Sequence, residues 1–97
     1  MPYMDCGDSK LAGLEEKYCL RILTCVLAEG PIYKSVLYTK ISKTISVPMK
    51  RVDYLVEINL LKETVSERPP RSKLIELTPK GRQVAEKLAV IEKILEG

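Results

Sequence analysis

The side chains with chemistry to offer in this 97-residue sequence are mainly cations, and they are unevenly spread. Between residues 30 and 52 stand Lys34, Lys40, Lys43, Lys50 and Arg51 with no acid among them. Between 68 and 82 stand Arg68, Arg71, Lys73, Lys80 and Arg82 against Glu76 alone. The formal net charge is only +3, so the remainder of the chain is net acidic. Two basic stretches on one side of a fold would form an electrostatic footprint for phosphate; scattered, they would only keep the surface solvated. Proton-transfer chemistry has less to work with. The chain has no His, which excludes Ser-His-Asp and Cys-His hydrolysis and removes a frequent metal ligand. It has no Trp, no Phe and five Gly, and it lacks any GxGxxG, GxxxxGK or HExxH pattern, so neither an aromatic-lined pocket nor a phosphate-cradling loop is expected. The reading is a binding protein, not an enzyme, without a cofactor.

Cys6, Cys19 and Cys25 form an odd set with no CxxC spacing, and no metal site is expected from them. Cys19 and Cys25, six residues apart on one helix, point about 240° away from each other and cannot bridge within it. They read as small apolar core residues in a reducing compartment, with thiol redox control as the alternative; Cys6 lies in the polar start of the chain, where a thiol would be exposed. There is no basic segment followed by an apolar leader, and no apolar run approaches 18 residues. A soluble cytoplasmic protein with no membrane partner is the expectation.

The elements that must position these residues follow from spacing. Residues 1–12 read as a flexible N-terminal segment and 13–97 as a single domain. Leu11, Leu14, Tyr18, Ile22 and Cys25 recur at helical steps and predict a helix over about 13–29, ended by Gly30-Pro31. A short helix is predicted from 33 or 34 to 43, with Leu37, Tyr38 and Ile41 inward. A third spans about 47–58, with Ser46 as N-cap, Pro48 in its first turn, and Val52 and Leu55 inward. Met49, Lys50, Arg51 and Tyr54 fall largely on the opposite side, and Asn59 caps the end in the left-handed conformation. Strands are predicted over 61–66 and 73–77, joined around Pro69-Pro70, which cannot stay in a ladder. Thr78 as N-cap and Pro79 at the first position open a last helix over about 79–95, in which Val84, Leu88, Ile91 and Leu95 step like a coiled-coil seam. The fold class is mainly α with a small β-hairpin, that is, α+β.

Three helices, a hairpin with a basic tip and a terminal helix resemble a winged helix-turn-helix DNA-binding domain. The phrase from Val52 to Leu61 is similar to the end of a recognition helix and its lead into a wing, with Asn59 where such families usually carry Gly. Leu77-Thr78-Pro79-Lys80-Gly81-Arg82 is similar to the LTxxG step that leads out of the wing in MarR-type and related archaeal winged-helix transcriptional regulators. The resemblance implies a small transcriptional regulator that binds double-stranded DNA in a sequence-specific way, with the third helix in the major groove and the wing, about 67–73, on the minor groove or backbone. It implies base reading by Arg51 first and then Lys50; contacts from Ser46, Met49 and Tyr54; wing contacts from Arg68, Arg71 and Lys73; and backbone contacts from Lys34 and Lys43. It also implies a homodimer paired through the last helix and the first, using Leu14, Val84, Leu88, Ile91 and Leu95, on half-sites about 34 Å apart. With one terminal helix, no small-molecule effector pocket is expected. Two other readings remain open: a winged-helix protein-protein interaction module, and a nonspecific chromosome-coating protein.

Overall fold

A computed structural model describes residues 10–67 and 72–97. A 3₁₀ helix, Lys10–Glu15, leads into α1 (Cys19–Glu29), a two-residue strand β1 (Ile32–Tyr33), α2 (Lys34–Ile41), α3 (Ser46–Glu57), β2 (Leu61–Val65), β3 (Lys73–Leu77) and a long α4 (Pro79–Glu96). Helix α1 is the hub. Its Cys19, Ile22, Leu23 and Val26 are buried, one or two per turn, and pack with Leu37 and Ile41 of α2, Val52 and Leu55 of α3, Ile75 of β3 and Ala85 of α4. Burial of a Leu or Ile side chain contributes about 1.5–3 kcal/mol, so this shared cluster is what holds α3 at a fixed angle to the sheet.

The sheet order among the described residues is β1-β3-β2, all antiparallel. β2 and β3 form the wing's stem, with Leu61 opposite Leu77, Glu63 opposite Ile75 and Val65 opposite Lys73. The facing pair Lys62 and Glu76 also makes a 3.2 Å ion pair. β1 pairs Ile32 with Ile75 and Tyr33 with Leu74, which ties the start of α2 to the wing.

The step from α3 through the wing to α4 is fixed by a few polar contacts. Asn59 adopts φ 67°, the left-handed conformation that turns the chain out of α3. Thr78, itself buried, donates its hydroxyl to the Asn59 carbonyl at 2.7 Å and accepts from the Gly81 N–H at 2.9 Å. One side chain thus caps α4 and pins it to the corner that ends α3. Gly81 is there because the Leu60 carbonyl occupies the place of a Cβ: an added methyl would lie 1.8 Å from that oxygen.

Most of the expected elements stand within a residue or two of their expected limits, with four differences. The first helix is not continuous over 13–29: Tyr18 sits at φ 76°, in the left-handed region, so that α1 starts at Cys19 and residues 10–15 form a separate 3₁₀ turn. Residues 10–12, expected in a flexible segment, fall within this 3₁₀ turn, while residues 1–9 lie outside the described residues. Ser46 is the first residue of α3 and not its N-cap; Ile45 holds that place and supplies no side-chain cap. β1 was not foreseen, because two residues after Gly30-Pro31 are too few to show an alternation.

Candidate nucleic-acid interface

Helix α3 has three faces. Pro48, Val52 and Leu55 are buried in the core. Ser46, Met49, Lys50, Asp53 and Glu57 are exposed and, at steps of three and four, share the outward face. Arg51 and Tyr54 lie between, half-buried and turned toward the N-terminal end of the chain. The Arg51 guanidinium donates from Nε to the Lys17 carbonyl at 3.2 Å and reaches the Glu16 carboxylate at 3.4 Å, leaving its side chain 24% exposed. The Tyr54 ring lies so close over Gly13 that a Cβ there would collide with its hydroxyl. Arg51, expected to lead base reading, and Tyr54, expected to assist, are both engaged here within the chain, where they clamp the 3₁₀ element and the start of α1 onto α3. A spread of about 200° of non-core positions on the helical wheel cannot tell solvent from a neighbouring segment.

The turn before α3 is held by Ser42, whose hydroxyl accepts from the Thr44 N–H at 3.2 Å. Lys43 in that turn and Lys50 on α3 are exposed and make no ion pair among the described residues. A groove of about 450 Å³ opens beside them, lined by Lys34 and Tyr38 of α2, Ile45 and Met49 at the start of α3, and Ser72 and Lys73 at the wing. It joins the outward face of α3 to the wing stem. Arg68 and Arg71 lie outside the described residues.

Lys34 stands at the centre of this region and is already engaged. Its ammonium donates to the Glu63 carboxylate of β2 at 2.7 Å and lies 3.8 Å from Asp53 of α3, while Lys73 meets the same Glu63 at 3.3 Å. α2 and both wing strands are thereby cross-linked through the Glu63 carboxylate, and Lys34 extends the link to α3 through Asp53. Burial draws the Lys34 ammonium down, but the Glu63 hydrogen bond and the neighbouring Tyr38, Glu63 and Asp53 outweigh it and leave its pKa raised. The Lys34 hydrogen bond holds the Glu63 carboxyl below its usual range, against some desolvation and with help from Lys73. Burial pushes the Tyr38 phenol up, and its hydroxyl has no hydrogen-bond partner among the described residues. Lys34, expected to contact the DNA backbone, forms in this structure a strut from α2 to β2 and α3.

The residues expected at a dimer interface divide into two sets. Leu14 and Val84 face each other's neighbourhood within one chain, lining a cavity of about 440 Å³ with Tyr54 and Ile58. Leu88, Ile91 and Leu95 run along the outer side of α4 and line a shallow groove with Leu20 of α1. Leu20, Val90, Ile91, Ile94 and Leu95 are exposed, Ile94 and Leu95 by 70% and 80%. Leu20 and Ile94 take the outer-face places that helical spacing gives them, whereas sequence reasoning passed over Glu16 as the partner of Arg51. The first two were legible as helical positions; the last was not, because it depends on the break at Tyr18.

Cys19 and Cys25 are free thiols, the first buried and the second half-buried. Cys19 is buried and its sulfur lies 3.7 Å from the Gly13 carbonyl, and burial pushes the Cys19 and Cys25 thiols up. Cys6 lies outside the described residues. Among those residues there is no cluster of three or more His, Cys, Asp or Glu suited to a metal ion, and no helix is long and apolar enough to cross a membrane.

No family model and no curated protein matches the chain. Solved structures do. A possible HxlR family transcriptional factor from Thermoplasma volcanium shares 21% identity and a TM-score of 0.77, over 96% of this chain and 84% of that one. Diamide-treated YodB from B. subtilis shares 18% identity and a TM-score of 0.74, over 94% and 92% of the two chains. A mutant MarR from E. coli shares 19% identity and a TM-score of 0.69, over 80% of this chain and 58% of that longer one. The chain has the winged-helix fold of these transcriptional regulators, with α2 and α3 as the helix-turn-helix and β2 and β3 as the wing.

Proposed function

We propose that the chain is a transcriptional regulator without catalytic activity that binds double-stranded DNA sequence-specifically as a cytoplasmic homodimer. The observation that carries the reading is the outward face of α3, where Ser46, Met49 and Lys50 are exposed and Met49 lines a groove with Lys34 and Lys73. That face meets the wing stem across the groove at Met49 and lacks the core packing that occupies the helix's other side. α3 is 12 residues long, about 18 Å at 1.5 Å per residue, and fits a major groove about 12 Å wide. Lys50 then supplies a guanine or phosphate contact, Met49 packs on a thymine methyl, and Ser46 and Lys43 bond phosphate. Lys73, with Arg68 and Arg71 between the two wing strands in sequence, serves the backbone or minor groove beside it.

Pairing through the outer side of α1 and α4 would cover Leu20, Leu88, Ile91, Ile94 and Leu95 and present two α3 helices to half-sites about 34 Å apart. Selection from a random-sequence duplex pool, at two salt concentrations, tests the reading. A palindromic motif lost with Lys50→Ala supports it; binding that depends on salt but enriches nothing means a coating protein, and no binding at low salt points to a protein partner. Sedimentation tests the pairing: Leu88→Glu with Leu95→Glu should turn a dimer into a monomer, and a monomeric wild type at working concentration would overturn it.

A further inference from the structure

We infer that Asp53 reads a base from the outward face of α3 and selects cytosine in the major groove. The inference rests on the DNA-binding reading above and gives it a specificity-determining residue. Asp53 stands one turn beyond Met49 and Lys50, and its side chain is 68% exposed. It is the eighth of the helix's twelve residues, far enough in to lie over the groove floor. Glu57, also exposed, closes the helix at its C-terminal end, where a recognition helix leaves the bases.

Folding gives Asp53 little to do. Lys34 approaches it at 3.8 Å, while the same ammonium is held far more closely, at 2.7 Å, by Glu63. At the limit of ion-pair distance, with Asp53 solvent-exposed and the Lys34 ammonium already held by Glu63, the pair contributes little to stability. On a surface meant for phosphate the acid is also unfavourable for nonspecific binding, and the Lys34 ammonium offsets that only in part. A carboxylate on such a face therefore needs a donor on the DNA.

The major groove offers few. An ionised carboxylate only accepts hydrogen bonds. Guanine presents the acceptors N7 and O6, thymine an acceptor and a methyl group, and adenine a donor beside the N7 acceptor. Cytosine alone shows an N4 amino donor with no acceptor of its own alongside. Lys50, three residues earlier, lies about 4.5 Å back along the helix axis, close to one base-pair rise of about 3.4 Å. Its ammonium carries donors only and complements guanine. Lys50 and Asp53 together thus fit a guanine and a cytosine on neighbouring base pairs.

The test is selection from a random-sequence duplex pool with the full chain and with Asp53→Asn, Asp53→Ala and Asp53→Glu. The wild type should enrich a motif with cytosine at one position in each half-site, bound about tenfold better than duplexes with another base there. Asp53→Asn should move that position to adenine, whose N6 and N7 an amide meets with two hydrogen bonds, and leave the other positions unchanged. Asp53→Ala should lose the preference and Asp53→Glu, which keeps the acceptor, should retain cytosine even if its affinity falls. An identical motif in all four proteins overturns the inference while leaving the DNA-binding reading intact. So does a uniform weakening across sequences, which is what loss of a mere ion pair with Lys34 would give. A wild type that binds without enriching any motif overturns the sequence-specific reading, and this inference with it.

Discussion

Arg51 and Lys50 are neighbours in sequence and cations of the same helix, yet the structure assigns them different work, and replacing each by Ala separates stability from binding. Arg51 loses one hydrogen bond to the Lys17 carbonyl and one ion pair to Glu16. The pair is partly solvated, Arg51 at 24% and Glu16 at 61% exposure, so it contributes at most about 0.5–1 kcal/mol after screening. The hydrogen bond adds about 0.5–1 kcal/mol. Arg51→Ala should therefore cost about 1–2 kcal/mol of stability. For a domain of this size that is about 4–8 °C in thermal midpoint for each kcal/mol, measured at one fixed protein concentration because assembly shifts the midpoint. Its effect on DNA affinity should be small once the comparison is made well below that midpoint. Lys50 is exposed and unpaired among the described residues, so Lys50→Ala should leave the midpoint within about 2 °C. In a dimer two copies are lost; at about 1 kcal/mol for each half-site, affinity should fall about thirtyfold. The assays are thermal unfolding by circular dichroism and fluorescence anisotropy on a selected duplex across a salt series. If Arg51→Ala abolishes site selectivity at an unchanged midpoint, the guanidinium reads DNA and its contact with Glu16 is irrelevant, and the assignment of faces on α3 is refuted.

Three further outcomes follow from the same geometry. Thr78→Val removes the cap on α4 together with the bond to the Asn59 carbonyl and should cost about 1–3 kcal/mol in denaturant unfolding, with Thr78→Ser recovering most of it; equal stability of all three would refute the pinning role. Glu63 is held below its ordinary range by Lys34, so its contribution is present above the ordinary glutamate pKa of about 4.3 and is lost as pH falls through its lowered folded value. Unfolding measured between pH 7 and 3 should steepen at the acid end in the wild type and flatten in Glu63→Gln; parallel curves would remove the strut. Cys19 and Cys25, with thiols pushed up by burial, should alkylate more slowly in the folded protein at pH 7.5 than in urea, as followed by mass; equal rates in the two states would contradict their placement.

What was legible in the sequence, and what was not, divides along a physical line. Local rules identified most elements: Pro48 and Pro79 in first helical turns, Gly30 ending α1 at φ 72°, Asn59 in the left-handed region, and Thr78 as a cap all depend on a few adjacent residues. The LTxxG resemblance also acquires a cause, since Gly81 is needed where the Leu60 carbonyl comes within a Cβ's own space, a contact between residues 21 apart. The functional face was harder because it is defined by subtraction. Spacing showed that Met49, Lys50, Arg51 and Tyr54 avoid the α3 core side, and it could not show that Gly13, Glu16 and Lys17 take two of them. That loss depends on Tyr18 at φ 76°, which swings the preceding turn from an extension of α1 into a brace against α3. Likewise Lys34 looked like a free cation at a helix start, and only the pairing of β1 with β3 brings it within 2.7 Å of Glu63. In each case a cation that looked free in the sequence is held at a joint of the fold. The count of 16 Lys and Arg therefore overstates what is free to meet phosphate, and under the proposed function selectivity rests on the few exposed side chains of α3.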